Sequence, residues 1–205
     1  MRRLNERAAL MRTVKQLGIK DPSAIRLAYG LVVETERRKN LIDKLINEVF
    51  APKKIGDFNL GIQAFLRLYV YQTRVIKNFE KINLKEAENI ASLARAILGW
   101  QTLREVEPFL GFLLTKKLSS IMEKTSEIEK ISLETFHPMW FVEYCIKLFG
   151  QEQALTFLNG SMKTPPTYIR VNTLKTTEEK TIQKLAYEGV VLQKTESLEY
   201  TYRVL

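Results

Sequence analysis

Two side chains in this sequence stand out as candidates for nucleophilic or proton-transfer catalysis: Cys145, the one cysteine, and His137, the one histidine. A nucleophilic cysteine needs a stabilised thiolate at an accessible edge. Cys145 sits instead in a Tyr-Cys-Ile context among apolar residues, which predicts a packed core thiol. His137 stands directly before Pro138 at a helix entrance, with no evident carboxylate partner, so a capping or structural role is expected. One cysteine and one histidine cannot build a zinc site from the usual ligands, and no internal disulfide can form. Gly30, Gly61 and Gly160 stand alone, so no glycine-rich phosphate or cofactor loop is present.

Charge points to another chemistry. The 205 residues carry 32 Lys and Arg against 23 Asp and Glu, a net charge of +9. Such an excess favours polyanions through counterion release and steering; the alternative is a solvated basic surface without a partner. The charge is uneven. In the first twenty residues Arg2, Arg3, Arg7, Arg12, Lys15 and Lys20 are opposed only by Glu6, a surplus of five. A basic first helix carrying Arg2, Arg3, Arg7, Arg12 and Lys15 is the expected phosphate-contacting face. Arg37, Arg38 and Lys39 follow Glu34 and Glu36, so part of that cluster can pair along a helix. Lys163, Arg170, Lys175 and Lys180 are further candidates for phosphate contact. Trp140, Phe141 and Tyr144 are capable of stacking on bases, but their helical spacing predicts core.

Stripes and caps define the elements that position these residues. Leu10, Val14 and Leu17 give a helix ended by Gly18, and Asp21 with Pro22 starts the next, carrying Ile25, Ala28 and Val32. Leu41, Ile42, Leu45, Ile46 and Val49 form a stripe stopped at Pro52. Asn59 caps a helix with Ile62, Phe65, Leu66, Tyr69, Thr73 and Ile76. Asn83 and Glu86 resemble a capping box, and one further helix is expected over 103–120. Glu123 to Lys130 reads as a charged helix or a linker.

The last third changes character. Pro138 opens an amphipathic helix closed by Gly150, a short helix follows over 152–158, and Pro165-Pro166 breaks the pattern. Tyr168–Val171 reads as a strand, with Arg170 and Asn172 opposite Ile169 and Val171. Those two polar side chains read a ligand, face solvent or pin a neighbouring domain. Thr176 with Glu179 predicts a helix ending at Gly189, and residues 190–193 and 198–205 read as strands. The chain stops inside an apparent strand with an edge left unpaired, so it reads as truncated. With 45% hydrophobic and 27% charged residues, wholesale disorder is excluded. No apolar run approaches a membrane span, and no signal-peptide core follows the N-terminal arginines. The expectation is a cytoplasmic protein.

Two stretches resemble a known family. "HPMWFVEYCIKLFG", Pro165-Pro166, "YIRVNTLK" and "LAYEGV" occur in the order and spacing of the pre-catalytic region of Sun/Fmu-type RNA (cytosine-5) methyltransferases. There an His-Pro-x-Trp helix precedes Pro-Pro, an Arg-Val-Asn-Thr strand and a helix ending in Glu-Gly-Val. Upstream, Arg7-Ala8, "AYGLVVE", "FLRLYVYQ" and "AENIASLARAIL" are similar to the NusB-like helical domain of some family members, which binds RNA through an Arg-rich N-terminal surface.

The resemblance implies a mainly α fold: a NusB-like RNA-binding bundle over 1–130, then a small, truncated α/β (RRM-like) pre-catalytic segment over 131–205. For the full-length protein it implies S-adenosylmethionine as cofactor, RNA as partner (ribosomal rather than transfer RNA), and a later Rossmann-like catalytic domain. There one cysteine adds to C6 of a cytosine, C5 takes the methyl group, and a second cysteine assists release. Cys145 matches neither the Pro-Cys nor the Thr-Cys motif, so no catalytic or cofactor residue carries over. What carries over is structural and RNA-positioning: His137, Pro138 and Trp140, and Arg170, Asn172 and Lys175. Those polar residues touch RNA or the catalytic domain. The rival reading is a standalone, non-enzymatic NusB-type adaptor, or a docking module with incidental charge.

Overall fold

The computed structural model describes residues 5–77, 79, 81–163 and 165–205, so Arg2 and Arg3 lie outside the described residues. The chain divides into two compact units, Met1–Leu158 and Asn159–Leu205.

In the first unit, helices begin where a side chain can satisfy the free N–H groups of the first turn. Helix α1 (Glu6–Leu17) starts at Asn5, whose Oδ1 accepts from the Ala8 N–H at 2.8 Å. It ends at Gly18, whose φ of 65° is the left-handed conformation that glycine adopts without Cβ strain. Helix α2 (Pro22–Arg37) is capped by Asp21, which accepts from the Ser23 N–H. Helix α3 (Lys39–Phe50) buries Leu41, Ile42, Leu45, Ile46 and Phe50. Helix α4 (Leu60–Thr73) buries Ile62, Phe65, Leu66, Tyr69, Val70 and Tyr71, residues spread around much of its circumference. That distribution fits its place: α4 packs against α2, α3 and α5 (Leu84–Leu98). Asn83 caps α5 as expected, while the Glu86 carboxylate, expected to answer it, accepts from Gln72 Nε2 at 3.1 Å.

The single helix expected over 103–120 is instead broken: α6 (Trp100–Leu103) ends where it was expected to begin, and two short helices follow, α7 (Leu110–Thr115) and α8 (Leu118–Met122). Pro108 is the physical reason for the first break. It has no N–H to donate and its ring crowds the preceding turn, so Glu107–Phe109 tightens into a 3-10 turn. The polar stretch after α8 becomes a turn and then the start of α9 (Glu127–Thr135), capped by Ser126. Helix α10 (Met139–Phe149) runs from Pro138 to Gly150 as expected. Helix α11 (Gln151–Met162) is longer than the expected 152–158.

The main core gathers Ile42, Leu45, Ile62, Leu66, Val70 and Leu113, and its last member in the chain is Ile121. A second, smaller core joins Ile131, Val142, Cys145, Ala154 and Leu158. The change of core therefore falls between 121 and 131, whereas the compact units divide after Leu158.

The second unit holds β1 (Tyr168–Arg170), α12 (Glu178–Tyr187), β2 (Leu192–Lys194) and β3 (Thr201–Val204). The strand order is β1-β3-β2 with both pairs antiparallel, so β1 and β2 are parallel to each other with β3 between them, a split βαβ arrangement. Tyr202 is paired to Ile169 on one side and Lys194 on the other. The last strand is thus central, not the unpaired edge expected from its place in the sequence. Thr177, one residue after the expected Thr176, caps α12.

Candidate nucleic-acid interface

The basic residues of α1 meet the conditions for a phosphate-contacting face. Arg7, Arg12 and Lys15 are exposed, as are Lys20 and, on α2, Arg26. At 3.6 residues per turn, Arg7, Lys15 and Arg12 fall within about 140° of the circumference of α1. Leu10, Val14 and Leu17 occupy the neighbouring arc, and α1 packs on α2. Among the described residues, nine ion pairs form, and none uses Arg7, Arg12, Lys15, Lys20 or Arg26. The second basic cluster behaves differently. Arg37 and Arg38 pair with Glu34, and Lys39 with Glu36, so that charge is spent locally.

In the second unit, Arg170 ends β1 and is exposed, and Lys175 is also exposed. Asn172 lies beyond the strand, not on its face. Its Oδ1 accepts from the Leu174 N–H at 3.1 Å, and its carbonyl accepts from Lys175 and Thr176. The side-chain oxygen that the strand reading left available to a ligand therefore forms a turn. The short strand was legible from its β-branched residues; its end one residue earlier was not.

Cys145 is 1% exposed within the second core, as its apolar context predicts. His137 is half-buried and its ring stacks on Phe141 with centroids 5.5 Å apart. Its carbonyl accepts from Ser132 Oγ at 2.6 Å, a structural arrangement of the kind expected. Trp140 and Tyr144 are corrected: they are 67% and 56% exposed, and Val142 and Cys145 fill the core from the other side of α10. Glu143 and Lys147 mark the polar face of α10, and Trp140 and Tyr144 flank that face rather than the buried one opposite it. Gly30, Gly61 and Gly160 all lie in separate helices and form no glycine-rich loop.

A groove between α1 and α2 went unnoticed in the sequence. It is lined by Arg7, Leu10, Met11, Ile25, Arg26 and Tyr29. The signal for it was the i, i+3 spacing of Arg26 and Tyr29, which places both on one face of α2.

Residues 137–203 match the family model described as Methyltr_RsmF/B-like, ferredoxin-like domain. The likeness to the Sun/Fmu-type methyltransferases holds. The chain is 23% identical over 180 residues, 87% of its length, to the probable ribosomal RNA small subunit methyltransferase B of Bacillus subtilis (strain 168). It spans 38% of the length of that curated relative. The crystal structure of PH0851 shares the fold, with a TM-score of 0.61 over 95% of this chain and 43% of that one, at 21% identity. No helix among the described residues is long and apolar enough to cross a membrane.

Proposed function

We propose that this chain is the RNA-binding, N-terminal part of an S-adenosylmethionine-dependent RNA 5-methylcytosine methyltransferase acting on ribosomal RNA in the cytoplasm. The observation that carries the reading is the ferredoxin-like match over 137–203. It follows a helical region, proposed to be NusB-like, whose first helix carries cations without a carboxylate partner among the described residues. In this reading residues 1–130 supply affinity through α1, with Arg7, Arg12 and Lys15, joined by Arg2 and Arg3, on phosphates. Residues 131–205, with Arg170, Asn172 and Lys175, position RNA or the catalytic domain. The methyl donor and the cysteine nucleophile belong to that Rossmann-like domain, and no residue of this chain is assigned to either.

The test is RNA binding by this chain at increasing salt. A phosphate-contacting face predicts a linear fall of log affinity with log salt, by about 0.7 per contact for single strands. Reversing Arg7, Arg12 and Lys15 to Glu is expected to lower affinity and flatten that slope. Salt-insensitive RNA binding, or tight S-adenosylmethionine binding by this chain, would overturn the reading.

A further inference from the structure

The groove between α1 and α2 encloses about 440 Å³. Leu10, Met11 and Ile25 give it an apolar lining, with Arg7 contributed by one helix and Arg26 by the other. Tyr29, one helical turn beyond Arg26, lines the same groove and is 40% exposed, while Met11 is 49% exposed. Neither arginine has a carboxylate partner among the described residues, in contrast to Arg37, Arg38, Arg67 and Arg95. Both guanidinium groups therefore keep their donors for an incoming anion.

We infer that this groove takes one unpaired nucleotide of an RNA strand. The base lies against the Tyr29 ring and the Met11 side chain, and its phosphate is held between Arg7 and Arg26. Three features favour this ligand over other polyanions. A duplex keeps its bases stacked inside, so it has nothing to place on an apolar lining. An acidic peptide uses the two cations but leaves the ring and the thioether uncovered. A single strand supplies both a phosphate and a flat apolar face, the combination that aromatic platforms in basic grooves recognise without regard to base identity. Arg12 and Lys15, farther around α1, then meet the flanking phosphates. The assignment rests on α1 binding RNA, and adds to it Arg26, Tyr29 and a preference for single strands.

The experiment compares binding of the full chain to an oligouridine of about twelve nucleotides and to an RNA duplex of about the same length. Tyr29→Ala is expected to weaken oligouridine binding about five- to a hundredfold, Tyr29→Phe to retain it, and duplex binding to change with neither. Arg26→Glu is expected to weaken the single strand as well. Tyr29→Ala with unaltered circular dichroism and unaltered oligouridine affinity would overturn the groove. So would an equal loss on the duplex, or equally tight polyglutamate binding that is blind to Tyr29. If reversing Arg7, Arg12 and Lys15 still abolishes binding in the first of these cases, the RNA-binding reading stands and only the groove falls. Failure of the unaltered chain to bind either RNA at low salt would remove both.

Discussion

The side-chain amide of Asn40 on α3 donates to the main-chain carbonyl of His137 at 3.2 Å, across 97 residues of sequence. The same amide donates to the Ser132 carbonyl at 2.7 Å, and Ser132 Oγ donates to His137 O at 2.6 Å. One amide therefore fixes the corner at which α9 turns into α10, where Phe136 takes a left-handed φ of 58°. The motif that begins at His137 is anchored to the main bundle through its backbone.

Asn40→Ala removes two donors from half-buried carbonyls and is expected to cost about 1–3 kcal/mol in urea unfolding. Asn40→Asp is expected to cost more, because it sets a carboxylate against the carbonyl oxygens. Equal midpoints for the two variants would mean that packing, and not the amide donors, holds the corner.

Arg74 is a buried cation with no acidic partner among the described residues. It is 4% exposed and donates to the carbonyls of Leu113 at 2.8 Å, Leu114, and Lys116 at 3.0 Å. The guanidinium thus caps the C-terminal end of α7, and burial pushes its pKa below the usual arginine value. Arg74→Met fits the volume but leaves those carbonyls unmet, with an expected loss of about 3 kcal/mol. Arg74→Lys is expected to recover only part of it, since one ammonium cannot span the same oxygens. Chemical denaturation of the three proteins checks the order Arg, Lys, Met.

His137 gives the fold a pH dependence of known sign. Burial holds its imidazole below the usual 6.5, against a backbone hydrogen bond to Thr135, and the charge of Arg37 adds to the lowering. The unfolded chain therefore takes up the proton first. Stability falls as pH drops through 6.5 and levels off below the folded value. Glu178 acts lower: hydrogen bonds from the Tyr202 hydroxyl and Lys194 hold it below 4.5, so its contribution is lost only beneath that pH. Thermal unfolding at about pH 7.5 and about pH 5 is expected to differ less in His137→Gln than in the unaltered chain.

Periodicity and caps were enough for the helices that begin at Asp21, Asn59 and Asn83, because each start is a local hydrogen bond written in one residue. The segment around Pro108 failed because apolar spacing persisted across a residue that cannot continue the hydrogen-bond ladder. The central place of β3 was illegible for a different reason: strand order depends on pairings far apart in sequence, such as Ile169 with Tyr202. Of the candidate site, the free charge on α1 was visible in composition. That Arg37 and Arg38 both pair with Glu34 while Arg7 and Arg12 pair with no carboxylate among the described residues depends on which side chains the fold brings together.

The two tryptophans offer a direct check on the face of α10 that is buried. Trp100 and Trp140 are 58% and 67% exposed, so both indoles meet water in the folded chain. Their emission is expected to be red-shifted and readily quenched by acrylamide, and to move little on unfolding. Trp140→Ser is then expected to leave stability within about 0.5 kcal/mol. Cys145→Ser, which buries a hydroxyl in the second core, is expected to cost about 1–3 kcal/mol. A blue-shifted, protected Trp140, or a larger loss from Trp140→Ser than from Cys145→Ser, would mean that the aromatic stripe of α10 is covered and that Val142 and Cys145 do not define its inner face.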